Sequence, residues 1–271
     1  ALYGLPDFDD FQRVEFLAMT DAERTLALRR KGFEEQIYCL LQIGYFKAKQ
    51  AFFHFSLADA SPNDIGFLLQ RYFPGKELTS TSKPLSKRQY YAQRDDISNL
   101  FGYRLCSEAD LPSLLEKATL LARTDVAPTF LLAELMVFLV SQHIVRPGYS
   151  TLQELITNAL TAERDRLEQL VESALTDATR AALQELLMGD NTLSDLAALK
   201  QDAKSFRYRQ MGLERQKRLT LAPLYTIAKT LLPSLDISQL NIAYYASLAN
   251  FYTIYDLRRF KPGQTNLYLL C

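Results

Sequence analysis

Residues 83–104 read KPLSKRQYYAQRDDISNLFGYR. A Ser/Thr-rich turn at 79–82 precedes the stretch, and Pro84 suits a first helical turn, where its missing N–H has no bond to lose. At 3.6 residues per turn Tyr90, Ile97, Leu100 and Phe101 share one face. Lys87, Arg94 and polar side chains are left outward. The spacing predicts an amphipathic helix with an apolar underside and a cationic upper side. Such a helix fits an ordinary solvated surface, and it also fits a helix laid on a phosphate backbone.

Helix punctuation recurs in both directions, without a set of alternating strands. Thr20-Asp21-Ala22-Glu23 has capping-box spacing, and Gly32 is expected to end that helix after Arg29-Arg30-Lys31. A helix follows over 33–49, with Ile37, Leu40, Leu41 and Gly44 on one stripe. Ser61-Pro62-Asn63-Asp64 starts another, which Pro74-Gly75 stops. Beyond residue 104, Ser107 to Asp110 opens a leucine-rich helix and Asp125 to Pro128 a nearly all-apolar one. Arg146-Pro147-Gly148 ends the latter. Thr151-Leu152-Gln153-Glu154 reads as a second capping box before a long helix to about residue 175. A turn at Asp190-Asn191, a basic helix over 200–218 and aromatic helices over 221–232 and 238–255 complete the pattern.

The fold class this predicts is all-α: consecutive small helical, helix-turn-helix-like modules followed by a larger helical region. The expected boundaries are 1–75, 76–150 and 151–271. The last region stops at Leu267-Tyr268-Leu269-Leu270-Cys271 inside an apolar pattern, which reads as a piece of a longer chain.

The chain has 271 residues, 48% of them hydrophobic, enough for a sizeable core. Lys plus Arg equal Asp plus Glu at 31 each, which excludes a uniformly basic coat. The zero is segregated, however. Residues 24–54 carry six cations against two anions and residues 71–104 seven against three; residues 154–195 carry three against nine and residues 200–218 seven against two. Gathered on one face, the basic islands would bind a polyanion; paired with the acidic stretch, they would only solvate the surface. Cys39, Cys106 and Cys271 are far apart and form no CxxC pair, which points to a reduced intracellular protein. No apolar run reaches membrane-spanning length.

Chemistry is harder to find. There is no GxxxxGK[ST] or GxGxxG loop. His54 and His143 have no Cys or His neighbours at metal-ligand spacing. His54 could touch phosphate or be a half-buried surface histidine, and His143 reads as structural. Asp7-Asp9-Asp10 and Asp95-Asp96 are local carboxylate groups without a wider constellation, and Arg94 beside the latter suggests a surface ion pair. No catalytic or metal-binding residues emerge, and no cofactor is expected.

Leu5-Pro6-Asp7-Phe8 leads into TDAERTLALRRKGFEEQIYCLLQIGYFKAKQAFF at 20–53, in which Gln42, Gly44, Tyr45 and Lys47 form a Q-x-G-Y-x-(basic) run. Tyr90 to Arg94 and Phe101-Gly102-Tyr103-Arg104 form a second signature, and QHIVRPGYSTL at 142–152 a third. Taken in order, with LERQKRLTLAPLYTIAKTLLP and YYASLANFYTIYDLRRFKPGQTNLYLLC further on, these stretches resemble the N-terminal region of replicative transposases of the Tn-three family. The chain departs from that pattern at Asp95-Asp96, where the family carries a more basic cluster.

The resemblance implies a bacterial, cytoplasmic DNA-binding region acting in DNA transposition and recombination. Two consecutive helix-turn-helix-like modules would recognise the terminal inverted repeats of a transposable element, and a helical region behind them would serve dimerisation or scaffolding. The family's metal-dependent, DDE-type acidic triad lies in a C-terminal half beyond Cys271, so this region would bind and not catalyse. The implied partners are double-stranded DNA at transposon ends, the C-terminal catalytic half and a second transposase copy, with no membrane. Arg29, Arg30, Lys31, Lys47 and Lys49 would contact phosphates from the first module, and Lys83, Lys87, Arg88, Gln89, Arg94 and Arg104 from the second. Arg88, Gln89, Gln93 and Asn99 are the candidates for reading bases. The alternative is a helical protein-interaction scaffold without DNA contact, using Tyr244, Tyr245, Phe251, Tyr252 and Tyr255.

Overall fold

The computed structural model describes residues 4–78, 85–188, 205, 207–249, 251–252 and 254–271. The fold is all-α. Thirteen helices lie among the described residues, with one two-stranded parallel bridge. They divide into two compact units, Ala1–Asp110 with Met136–Gln153, and Leu111–Leu135 with Glu154–Cys271. This differs from the expected three consecutive modules: side chains from 1–75 and from 85–105 share a single core.

The first unit contains α1 (Asp10–Leu17), α2 (Asp21–Leu28), α3 (Phe33–Lys49), α4 (Pro62–Tyr72) and α5 (Lys87–Phe101). Helix α3 is its axis. Every residue from Ile37 to Phe46 is buried: α1, α2 and α4 pack on the helix, and Phe52, Phe101 and Tyr103 lie against Phe46. Gly44 permits the closest approach: a Cβ there would collide with the Leu17 side chain and lie 3.2 Å from the Phe16 carbonyl. Phe8, Phe16, Tyr45, Phe53 and Phe55 form a run of ring contacts beside it.

Some of the polar groups caught in this core are partnered, while Tyr45 Oη and Ser98 Oγ are buried without a hydrogen bond among the described residues. Tyr38 Oη and Gln42 Nε2 both donate to the Phe53 carbonyl at 3.1 Å. Asp64, fully buried on α4, faces Arg13 at 3.3 Å, yet burial outweighs this cation and raises its carboxyl above the usual value. Tyr72 Oη accepts from Met19 N–H at 2.6 Å and donates to the Leu17 carbonyl at 3.2 Å, fixing the α1–α2 junction.

Several helix ends follow the sequence closely. Thr20 and Glu23 form the expected capping box of α2, and Asp9 and Gln12 form one for α1. Asp9 is therefore a cap, and Asp10 pairs with Arg13. Gly32 is the N-cap of α3, whereas the sequence placed it at the end of α2, which stops at Leu28 with Arg29 as its C-cap. Helix α5 begins at a Ser86–Gln89 capping box and ends at Gly102, whose left-handed φ of 69° closes the last turn.

The bridge joins β1 (Arg104–Leu105) to β2 (Ile144–Val145) in parallel register. Arg146, next in line, donates its backbone N–H to the Gln50 carbonyl at 3.0 Å and its guanidinium to the Lys49 carbonyl. Gln50 is itself left-handed and returns its side-chain amide to the Lys47 carbonyl at 2.8 Å. The orphan carbonyls at the end of α3 are thus capped from residues almost 100 positions away.

The second unit contains α6 (Leu111–Thr124), most of α8 (Tyr149–Ala174), α9 (Asp177–Met188), α10 (Tyr208–Leu231), α11 (Gln239–Ala249), α12 (Ile254–Arg259) and α13 (Pro262–Leu270). Helix α7 (Pro128–Ser141) contributes its first half. Asn241 is fully buried and ties α11 to the end of α6, accepting from Val126 N–H at 2.9 Å and donating to the Ala122 carbonyl at 2.9 Å. Tyr149 starts α8, so Thr151 lies in its first turn and not at a cap. The basic and first aromatic helices expected on either side of residue 220 are one helix, α10, with Pro223 inside it. The turn expected at Asp190-Asn191 and the start of the basic helix at 200 lie outside the described residues.

Candidate nucleic-acid interface

The chain reverses at residues 29–32, between α2 and α3. In a helix-turn-helix the second helix enters the major groove. Here that helix is α3, whose ten residues from Ile37 to Phe46 are buried and unavailable to a groove; Phe33, Glu34, Glu35 and Gln36 of its first turn are half-buried. Helix α5, like α1, α2 and α4, keeps one face exposed. Its buried side is Gln93, Ile97 and Ser98, with Tyr90, Leu100 and Phe101 partly covered; Lys87, Arg88, Tyr91, Ala92, Asp95 and Asn99 are exposed.

Side-chain contacts place the start of α5 against the start of α3. The Gln89 side-chain amide donates to the Glu35 carboxylate, and Gln93 Nε2 reaches the Glu35 carbonyl at 3.5 Å. Arg30 bonds Asp96 at 2.7 Å. Two residues before Glu35, Phe33 packs edge-on against Phe73 with centroids 5.1 Å apart, and Lys76 Nζ stands 5.2 Å from the Phe33 centroid. One end of the unit therefore collects Arg29, Lys31, Lys76, Lys87 and Arg88. All five are exposed, and none has a carboxylate partner among the described residues. Lys76 follows Pro74-Gly75 outside any periodic pattern, and sequence reasoning missed it.

The other predicted contacts are engaged differently. Lys47 is held by the Ala18 carbonyl at 3.1 Å and the Glu23 carboxylate at 3.4 Å. With Lys49 it sits at the far end of α3, about 24 Å from the α2–α3 turn at 1.5 Å per residue. Arg94 pairs with Asp95 at 2.9 Å. Arg104 pairs with Asp110, whose carboxyl is held well below the usual range by that guanidinium and by the Ser107 N–H and hydroxyl. Gln93, 1% exposed, faces the interior and does not reach a groove. Gln89 closes the capping box of α5 besides bonding Glu35. Asn99 is exposed, and Lys83 lies outside the described residues.

His54 is exposed, its ring 5.2 Å from Tyr90, and His143 adopts a left-handed turn after α7 with its ring 5.2 Å from Tyr103. Burial pushes the Cys39 thiol up to about 11, leaving it protonated and unreactive. Among the described residues no group of His, Cys, Asp and Glu could hold a metal ion, and no helix is long and apolar enough to cross a membrane.

Residues 1–159, more than half of the chain, match the family model described as "Domain of unknown function (DUF4158)". The chain belongs to this family. No curated protein matches it. The DUF4158 match includes all of α1 to α7, the parallel bridge and every residue of the cationic end.

Proposed function

We propose that this chain binds double-stranded DNA through the cationic end of its first unit, and that it does so at the terminal inverted repeats of a transposable element as part of a transposase. One observation carries the DNA-binding part: Arg29, Lys31, Lys76, Lys87 and Arg88 are exposed where the α2–α3 turn meets α5, and none of them is in an ion pair among the described residues. Phosphate neutralisation by such side chains supplies most non-specific affinity. The N-terminus of α5 adds its partial positive charge. Asn99 on the exposed stripe has the hydrogen-bonding groups that base reading needs. The transposon-end part is supported by the resemblance of three stretches to replicative transposases and by a family found in transposase-associated proteins.

The test is fluorescence anisotropy with a labelled duplex carrying the terminal repeat of the encoding element, beside a scrambled duplex of equal length, over a salt series. End recognition gives tighter binding to the repeat and a steep salt slope on both. Equal, weak binding to both contradicts it.

A second reading, a protein-interaction scaffold, attaches to the second unit. Tyr245 is buried there, and Tyr252 packs on Phe260 and Tyr268, so these rings serve its own core. What favours a scaffold is α10, where Tyr208, Met211, Leu219, Leu221 and Tyr225 stand exposed. Sedimentation velocity at increasing concentration and salt tests it: a salt-insensitive association supports the scaffold, and a monomer throughout argues against self-association.

A further inference from the structure

Helix α5 carries more than cations. Its first turns carry Tyr91 on the exposed side with Lys87 and Arg88, and Tyr90, partly covered, beside it. His54 lies edge-on to Tyr90, 5.2 Å away at 83°. Tyr90 and Tyr91 are 5.5 Å apart, and the Arg94 guanidinium lies 4.8 Å from the Tyr91 centroid. His54 is exposed and Tyr91 is 48% exposed, so part of its ring is open to water. Lys87 and Arg88 precede Tyr91 by four and three residues, which puts them on its face one turn away, about 5.4 Å along the axis.

This arrangement has a use that phosphate contact alone does not explain. A cation needs no ring beside it to bind a phosphate. An exposed ring costs hydration and offers a flat apolar surface. Within a duplex every base is covered by its neighbours, so such a ring finds no base face there; an unpaired nucleotide presents one. Stacking on aromatic side chains flanked by cations is how proteins hold single-stranded segments without reading their sequence. Asp95 reinforces the geometry, because its bond to Arg94 Nε at 3.1 Å helps hold the guanidinium beside Tyr91.

We infer that Tyr91, backed by Tyr90, His54 and Arg94, is a stacking platform for an unpaired nucleobase, with Lys87 and Arg88 taking the adjoining phosphate. The inference rests on the DNA-binding reading and narrows it: the preferred ligand is a duplex with an adjoining single-stranded segment, the form DNA takes at an opened or nicked end.

The test uses the whole chain and two DNAs sharing one duplex, one blunt and one with a four-nucleotide extension containing 2-aminopurine. Anisotropy measures affinity, and 2-aminopurine quenching reports stacking. The extension tightens binding about tenfold in the unaltered chain, the lower part of the range for one stacked base. Tyr91→Phe keeps both the gain and the quenching. Tyr91→Leu loses the quenching and the gain of the extended over the blunt DNA, both compared within the same variant, and circular dichroism confirms that this exposed position leaves the fold intact. An extension that adds nothing, or a gain and quenching that survive Tyr91→Leu, overturns the platform and leaves the duplex reading standing. Tyr91-dependent binding to the extended DNA with none to the blunt duplex overturns the duplex reading and keeps the platform. Binding to neither DNA removes both.

Discussion

The Arg30 guanidinium on the α2–α3 turn reaches the Asp96 carboxylate on α5 at 2.7 Å. Asp95 and Asp96 are adjacent exposed acids on α5. Neither stands alone on the surface, since Asp95 holds Arg94 and Asp96 holds Arg30. The two acids restrain two of the helix's neighbouring cations and leave the five at the unit's end unpaired.

Replacing Asp96 by Asn should therefore release Arg30 for a phosphate. Duplex affinity rises, and the slope of log affinity against log salt steepens by about 0.9 for one added contact. Binding titrations across a salt series measure it. A slope equal to that of the unaltered chain would show that Arg30 cannot turn outward.

Gly44→Ala should destabilise the first unit by about 1–3 kcal/mol, the usual cost of overpacking a core. Its new Cβ collides with Leu17. Leu17→Ala alone also destabilises, by leaving a cavity. Combined, the two substitutions should cost clearly less than their sum, since each relieves the other's defect. Urea denaturation of the four proteins closes the cycle, and additive losses would mean that Gly44 matters for some other reason.

Asp110 sets a pH dependence. Its folded carboxyl titrates below the usual 3.8 because Arg104 and Ser107 bond its charged form. A depressed folded value contributes stability above the unfolded value, and that contribution is lost as pH falls through the folded one. Asp110→Asn should be less stable than the unaltered chain at pH 7, and the gap should narrow steadily below about pH 4. Thermal melts between pH 7 and pH 2.5 give the comparison. A gap independent of pH would assign the effect to packing.

Gln93 and Arg88 separate interior from surface on one helix. Gln93→Met, at a position 1% exposed, should leave duplex affinity within about twofold of its starting value, because no interior side chain meets a phosphate. Arg88→Ala should weaken binding to every duplex and flatten the salt slope by about one contact. A large affinity loss from Gln93→Met with folding intact would place the interface on the opposite side of α5.

Much of the helical frame was legible because its signals are local. The capping box at Thr20, the span of α3 and the Pro62 start of α4 each follow from residues within one turn. The burial of α3 was not legible: its stripe of Ile37, Leu40, Leu41 and Gly44 suggested one covered side, while α1, α2, α4 and the rings of Phe52, Phe53, Phe55 and Phe101 cover it all round from Ile37 to Phe46. That difference bears on the site, because it withdraws the middle of the second helix of the apparent helix-turn-helix, while α5 keeps an exposed cationic stripe. Lys47, Gln89 and Gln93 look like solvent-facing polar residues in a linear reading. Their partners, Glu23, Glu35 and the Ala18 carbonyl, come from other elements, so their commitment appears only in three dimensions. Conversely, Lys76 joins the cationic end only through the Phe33–Phe73 contact.

The most direct measurement of the central claim compares two sets of alanine substitutions in duplex binding at low and physiological salt. One removes Arg29, Lys31, Lys76, Lys87 and Arg88 from the first unit; the other removes Arg207, Arg209, Arg215 and Arg218, exposed cations of the second unit at and along α10. Binding through the first unit's cationic end predicts that the first set abolishes salt-dependent binding and the second changes it little. Equal losses from both sets, or a larger loss from the second, would contradict it.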